Sequence, residues 1–240
     1  MPLAAPGLDC RRRADAHPPV GAAEFAARLD PLGPFEPSPH VAVAVSGGAD
    51  SLALALLAHA WVGARGGRLL GLIVDHGVRA AAAAEAAEAA ARLAGIGVPA
   101  RILRLHGLAR GPGLAERARA ARYAALDAAC AAAGIVHLLL GHHAGDQAET
   151  VILRALSGSG PAGLAGIAAL TEAAGPRRLR PLLDIPPARL RATLTAAGLG
   201  WTEDPSNADQ AATRGRLRQL RADRAGSGPA TRALVAAAAG

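Results

Sequence analysis

At 240 residues the chain has the length of one α/β domain of ordinary size with a short appendage, and no stapling is needed to bury a core of that size. Its formal charge of +7 comes from 26 basic residues, all arginine. The absence of lysine excludes a Walker-type phosphate loop and any lysine nucleophile in the protein itself. Cys10 and Cys130 are too far apart for a C-x-x-C and have no histidine at zinc-ligand spacing. A disulfide framework and a structural zinc site are therefore not expected, and a reducing cytoplasm is.

Half of the residues are hydrophobic by type (51%), but many are alanine, and two tryptophans, two phenylalanines and one tyrosine are the only large aromatic packing units. Alanine in that abundance favours helix, where it loses no side-chain entropy. The basic excess points to an acidic partner, nucleic acid being the commonest. No apolar run is long enough to span a membrane once His59, Glu85 and Glu88 are counted.

Residues 1–40 are rich in proline and arginine and read as an N-terminal extension with one short helix at Ala22–Leu29. Val41 to Val45 is a short β-branched run ended by Ser46-Gly47-Gly48, and Asp50 to Ala64 is apolar on more than one face. That pattern is a buried strand, a tight loop and a helix packed on a sheet. The unit recurs: Leu69–Val74 as strand, Ala80–Ala94 as helix, Ala100–Leu105 as strand, Leu114–Ala133 as helix, Ile135–Leu140 as strand and Gly145–Leu156 as helix. Beyond these come a glycine-rich turn at Ser157–Gly166, a strand at Arg178–Leu183, a helix at Ala188–Ala197 and a polar, arginine-rich segment from Thr202. Strands alternating with helices of this length predict an α/β fold with a doubly wound, mostly parallel sheet. The expected organisation is an extension (1–40), a nucleotide-binding domain (41–201) and a basic C-terminal segment (202–240).

Ligands of open parallel sheets sit outside the carboxyl ends of the strands. The chemically distinctive residues fall there: Ser46 to Ser51 after the first strand, Asp75 and His76 after the second, and His142, Asp146 and Glu149 after the fourth. In Ser46-Gly47-Gly48-Ala49-Asp50-Ser51 the glycines let backbone amides approach an anion at a helix start, and Asp50 is placed to hold Mg²⁺ against phosphates or to cap the helix. His142, Asp146 and Glu149 share one helical face by their spacing. Arg119 and Arg122 lie three apart on one helix, where they either clamp a phosphate or remain solvated. Gly158-Ser159-Gly160-Pro161-Ala162-Gly163 matches the dinucleotide pattern but follows a helix and contains proline, so that reading fails. Arg214, Arg216 and Arg218 are spaced by two, which suits a nucleic-acid-facing segment better than a helix stripe.

The hexapeptide Ser46 to Ser51 resembles the pyrophosphate loop of the N-type ATP pyrophosphatase superfamily, whose members cleave ATP between the α and β phosphates. Within it, four further segments resemble the tRNA(Ile)-lysidine synthases: Val74-Asp75-His76-Gly77-Val78-Arg79, Ala118 to Tyr123, His142 to Thr150, and Trp201-Thr202-Glu203-Asp204-Pro205-Ser206-Asn207. The resemblance runs from about Val41 to Arg218, with Gly145 where many members have a second aspartate, Ala115 where they often have glutamate, and Gly215 where they have asparagine.

It implies a Rossmann-like adenine nucleotide α-hydrolase fold and ATP with Mg²⁺ as cofactors. The implied reaction is adenylation of the C2 oxygen of the wobble cytidine of an isoleucine tRNA with a CAU anticodon, followed by attack of free L-lysine. It also implies roles. Asp50, Arg119, His142 and Asp146 are catalytic, with Asp50 and Asp146 on the metal; Ser46, Gly47, Gly48, Asp50, Ser51, Asp75 and His76 hold the nucleotide; Arg122, Glu149, Gly160, Arg214, Arg216 and Arg218 meet the tRNA or lysine. No protein partner is expected. A thiolating relative and a non-enzymatic adenine-nucleotide binder are the alternatives: the first would need cysteines at the site, and the second need not keep His142, Asp146 and Glu149 beside the loop.

Overall fold

The computed structural model describes residues 17–77, 82–107, 111, 113–172, 174–203, 223 and 225–239. Helix α1 (Ala22–Leu29) and a single 3₁₀ turn (Asp30–Leu32) lead into strand β1 (His40–Val45). There follow α2 (Ala49–Gly63), β2 (Arg68–Asp75), α3 (Ala82–Gly95), β3 (Ala100–Arg104), α4 (Leu114–Ala132), β4 (His137–Leu139) and α5 (Ala144–Leu156). The chain continues through a short α6 (Pro161–Leu164), β5 (Leu170–Thr171), β6 (Arg177–Leu179), α7 (Pro187–Ala196) and α8 (Pro229–Ala239).

The strands form one sheet in the order β3-β2-β1-β4-β6-β5, parallel throughout except for β5, which runs antiparallel to β6 at the edge. The register pairs Val41 with both Leu69 and His137, so β1 is flanked on both sides. Winding runs from β1 outward to β3, then the chain crosses back over α4 to place β4 on the other side of β1. This reversal is the doubly wound topology expected from the sequence, and it opens a crevice between the carboxyl ends of β1 and β4.

One face of the sheet is covered by a cluster that includes Phe25, Leu29, Leu54, Leu57, Trp61, Leu93, Leu190 and Leu194, drawn from α1, α2, α3 and α7. The other carries Leu126, Ala129 and Cys130 of α4 against Leu72, Leu138 and Leu140. Helix α2 is apolar nearly all round because β1, β2, α1 and α7 all pack on it. Phe25 and Leu29 are fully buried in that cluster, so α1, although it lies within the proline-rich first 40 residues, packs into the body of the domain.

Several expected boundaries move for local reasons. The strand expected over Arg178–Leu183 stops at Leu179, because Pro181 has no N–H to give the ladder and Arg180-Pro181 turns the chain away. The turn expected over Ser157–Gly166 contains α6, whose first residue, Pro161, has its φ set for a helix start. The short β5 has no apolar run to announce it. Near the carboxyl end, Asp223 accepts hydrogen bonds from Gly228 N–H and the Thr231 hydroxyl, which anchors the start of α8 where it lies along α5.

Phe25 has no solvent exposure, so Phe25→Ala should cost about 3–5 kcal/mol of folding stability, read as a lower urea midpoint with unchanged slope. A change under about 1 kcal/mol would mean that α1 is not integral to the core.

Candidate active site

The loop between β1 and α2 is shaped by its own side chains. Gly47 has φ 85°, in the left-handed region, and Gly48 is an extended N-cap that has no side chain to occupy the first turn of α2. The Ser51 hydroxyl accepts from Ser46 N–H at 3.1 Å and donates to Gly48 O at 3.1 Å, which ties the two ends of the loop together. The loop is also held from outside. Thr202 N–H donates to Gly47 O at 3.0 Å, and Arg92 Nη1 donates to the Thr202 hydroxyl at 2.6 Å. A helix start with amides facing a concave glycine loop is an anion site.

Across the crevice, Gly141 follows β4 at a point where a Cβ would stand 3.2 Å from Ser51 Cα and 3.3 Å from Ser51 N. A side chain there would have to push the backbone of the loop helix back by a few tenths of an ångström. His143 then adopts an extended conformation, φ −131° and ψ 179°, as the N-cap of α5. Its N–H donates to Asp146 Oδ2 at 3.1 Å, and its Nδ1 accepts from Gly145 N–H at 3.0 Å. With Nδ1 an acceptor, the ring proton of neutral His143 is on Nε2, which lies 3.5 Å from Asp50 Oδ2 and 3.6 Å from Asp146 Oδ2. These separations are electrostatic contacts rather than hydrogen bonds. His143 therefore links the carboxylate of the α2 start to the carboxylate of the α5 start.

A basic rim faces this acidic pair. Arg119 and Arg122 of α4 lie 5.1 and 5.7 Å from the centroid of the Tyr123 ring. Burial lowers the pKa of His142 to about 4; Asp146 opposes the shift, while Arg180, Arg122 and Arg119 reinforce it. Burial also lowers that of His76, again with help from Arg122 and against Asp75. Both imidazoles are therefore neutral near pH 7. Asp75, buried at the end of β2, accepts from Gly77 N–H at 2.9 Å.

Of the residues singled out in the sequence, the Ser46–Ser51 loop, Asp50 and Asp146 converge, and the electrostatics of His142 tie Arg119 and Arg122 to the same place. His142 does not share a helical face with Asp146, because α5 begins only at Ala144 and His143, not His142, caps it. Glu149 is buried one turn beyond Asp146. Gly160 is the extended N-cap of α6, and a Cβ there would meet nothing within 4 Å, so packing does not require glycine. The turn around it is strapped to α5 by Arg154, which donates to Gly163 O and Gly166 O at 2.8 and 2.6 Å, and by Gln147, which bonds both the N–H and the carbonyl of Ile167. Arg214, Arg216 and Arg218 lie outside the described residues, as do Val78, Arg79 and Asp204 to Asn207. Sequence reasoning missed His143, Gly141 and Arg180. The doubled histidine and the Arg-Pro after a strand were the available signals.

Asp50 Oδ1 is buried without a hydrogen-bond partner, which fits a carboxylate oxygen that takes a cation. Among the described residues no three His, Cys, Asp or Glu side chains cluster as a metal cage, and Mg²⁺ needs none, since it uses one or two carboxylates with phosphate oxygens and water. Among the described residues no helix is long and apolar enough to cross a membrane.

A parallel sheet with an anion-holding glycine loop at its switch point, faced by carboxylates from the next crossing, defines a nucleotide-binding α/β domain. The chain belongs to the PP-loop domain family, which matches it over residues 22–222. It is 47% identical over 204 residues to a tRNA(Ile)-lysidine synthase of Bradyrhizobium diazoefficiens, covering 84% of this chain and 56% of that protein. A tRNA(Ile)-lysidine synthase of Bradyrhizobium sp. is 43% identical over 225 residues, covering 93% and 62%. The chain thus spans 56% and 62% of the length of these two relatives. Among solved structures, a U34-tRNA thiolase from Methanococcus maripaludis, determined with its [4Fe-4S] cluster, shares the fold with a TM-score of 0.70 at 19% identity, over 90% of this chain and 77% of its own.

Because burial and three arginines disfavour its cation, the His142 imidazole should stay neutral down to about pH 5 and titrate near 4 in an NMR pH series. Its depressed pKa makes the unfolded state the better proton acceptor as pH falls below about 6.5, so this residue should cost the wild type stability between pH 6.5 and 4 relative to His142→Asn. A midpoint above 6 would contradict the buried, arginine-facing placement.

Proposed function

We propose that the chain carries the adenylation site of a tRNA(Ile)-lysidine synthase, using ATP to activate the C2 oxygen of the wobble cytidine of an isoleucine tRNA for attack by free L-lysine. The observation that carries the reading is the convergence of Asp50, from the start of the loop helix, and Asp146, from the start of α5, on His143 beside the Ser46–Ser51 loop. The names of relatives 43–47% identical supply the substrate.

In the first step the C2 oxygen forms a bond to the α-phosphorus and the bond from that phosphorus to pyrophosphate breaks. In the second, the lysine ε-amine nitrogen bonds to C2, the C2–O bond breaks, AMP departs and the amine gives up a proton. The loop amides of Gly47 to Ser51 hold the departing pyrophosphate, and Asp75 and His76, at the end of β2, bound the nucleotide on the adenine side. Mg²⁺, held by Asp50 and Asp146, would neutralise phosphate charge when bound. Arg119 lies on the rim where charge develops at the α-phosphate, so its contribution is electrostatic stabilisation of the transition state. His142, kept neutral, serves as a hydrogen-bonding group, not a cation. Arg122, Glu149 and the turn at Gly160 line the approach of tRNA and lysine, and Arg214, Arg216 and Arg218 of the basic segment give phosphate contacts.

The domain limits follow the same reading, with residues 41–201 as the catalytic body and 202–240 as a tRNA-facing segment. Cys10 lies outside the described residues, and thiolating chemistry finds no support in Cys130. Cys130, on the sheet-facing side of α4, is completely buried, and burial pushes its thiol up to about 11, which leaves it protonated and inert.

Mass spectrometry of an isoleucine tRNA incubated with the protein, ATP and lysine should show a lysine adduct with release of AMP and pyrophosphate. Unmodified tRNA with intact enzyme would refute the reading. Asp50→Asn should keep the fold and lower pyrophosphate release at least about 100-fold, because it removes the charge that faces the metal. Cys10→Ser combined with Cys130→Ser should retain adduct formation; its loss from a folded double variant would revive sulfur chemistry.

A further inference from the structure

Arg180 is the buried cation that the reaction above does not use. It follows the last residue of β6 and is only 8% exposed. Its Nη1 donates to two neutral acceptors, Ala168 O and Thr171 Oγ1, both at 2.9 Å. Its Nε is buried without a hydrogen-bond partner, and the Tyr123 phenol is the polar side chain set beside the rest of the guanidinium. Nor does it form an ion pair among the described residues. Arg178, two residues back, is neutralised by Asp127 at 2.6 Å, whereas Arg180 faces further positive charge from Arg178 and Arg119, with the Tyr123 phenol as the offsetting neighbour. A buried charge without a counter-charge is costly, so the arrangement calls for an anion.

The geometry selects the kind of anion. With Nη1 committed to the protein, the Nε and Nη2 protons form the side-on fork of the guanidinium, which matches the two oxygens of a carboxylate. Position selects the molecule. Asp75 and His76 end β2 on one side of the loop, whereas Arg180 ends β6, beyond β4, on the other. Nucleotide phosphates are served by the loop, and backbone phosphates of a tRNA meet exposed arginines more readily than one that is 92% buried.

We propose that the Nε/Nη2 edge of Arg180, beside Tyr123, binds the α-carboxylate of the amino-acid nucleophile and so selects an amino acid over a plain diamine. This rests on the lysine-ligase reading, and the test separates the two. Lysine and cadaverine, the same amine without the carboxylate, are compared in calorimetric binding to the protein with a non-hydrolysable ATP analogue, and as nucleophiles in the tRNA adduct assay. The wild type should prefer lysine by roughly 10- to 100-fold, the worth of a charge-assisted fork. Arg180→Gln should lose that preference by weakening lysine alone, with cadaverine use and the KM for ATP unchanged; Arg180→Lys, which keeps the charge without the fork, should recover it only in part.

A wild type that binds the two amines equally overturns the proposal even if every Arg180 variant misfolds. So does a folded Arg180→Gln with unaltered lysine affinity, or one whose defect is in the KM for ATP, which would make the anion a phosphate. Absence of any adduct with the wild type would instead defeat the ligase reading, while adduct formation indifferent to Arg180 defeats this inference alone.

Discussion

The close approach of Gly141 to Ser51 is the constraint on which the site depends. Parallel pairing of β1 with β4 brings the carboxyl ends of two non-consecutive strands together, and a side chain at position 141 would push against the backbone of the loop helix. With glycine there, the start of α2 and the start of α5 lie side by side, each carrying an aspartate near its first turn. Carboxylates are favourable at helix starts, so the two charges are stabilised by the macrodipoles before any cation arrives. They still repel each other, and the His143 Nε2 proton between them reduces that repulsion.

The protein separates its charges across the crevice. Acidic groups gather on the loop side, and Arg119, Arg122, Arg178 and Arg180 gather around Tyr123 on the other, with neutral His142 between. A cationic His142 would sit among arginines in a desolvated place and be disfavoured twice over. Its neutrality lets it accept or donate a hydrogen bond without adding to the field that either wall exerts on the crevice.

Much of this was legible in the sequence because the signals were local. A β-branched run, two glycines and an apolar helix specify strand, loop and crossover, and the succession of such units specifies a parallel sheet. What was not legible depends on distant partners. Spacing placed His142 on the face of Asp146, but capping geometry gave the junction to His143, a difference of one residue that periodicity cannot resolve. Arg180 read as one arginine among 26, and only its burial distinguishes it. The packing of α1 was hidden for the opposite reason: prolines around it suggested an extension, while Phe25 and Leu29 supply two of the large side chains of an alanine-rich core.

The hold of Thr202 on Gly47 carries the argument one step beyond the sheet. Trp201-Thr202-Glu203 is far from the loop in sequence, yet its backbone N–H satisfies the carbonyl of the residue whose left-handed conformation gives the loop its shape. Arg92, from α3, bonds the Thr202 hydroxyl and so fixes the segment to a third element. A carbonyl bonded in this way cannot rotate into the anion site, where it would oppose the amides, so the segment preserves the electrostatic sense of the loop as well as its position.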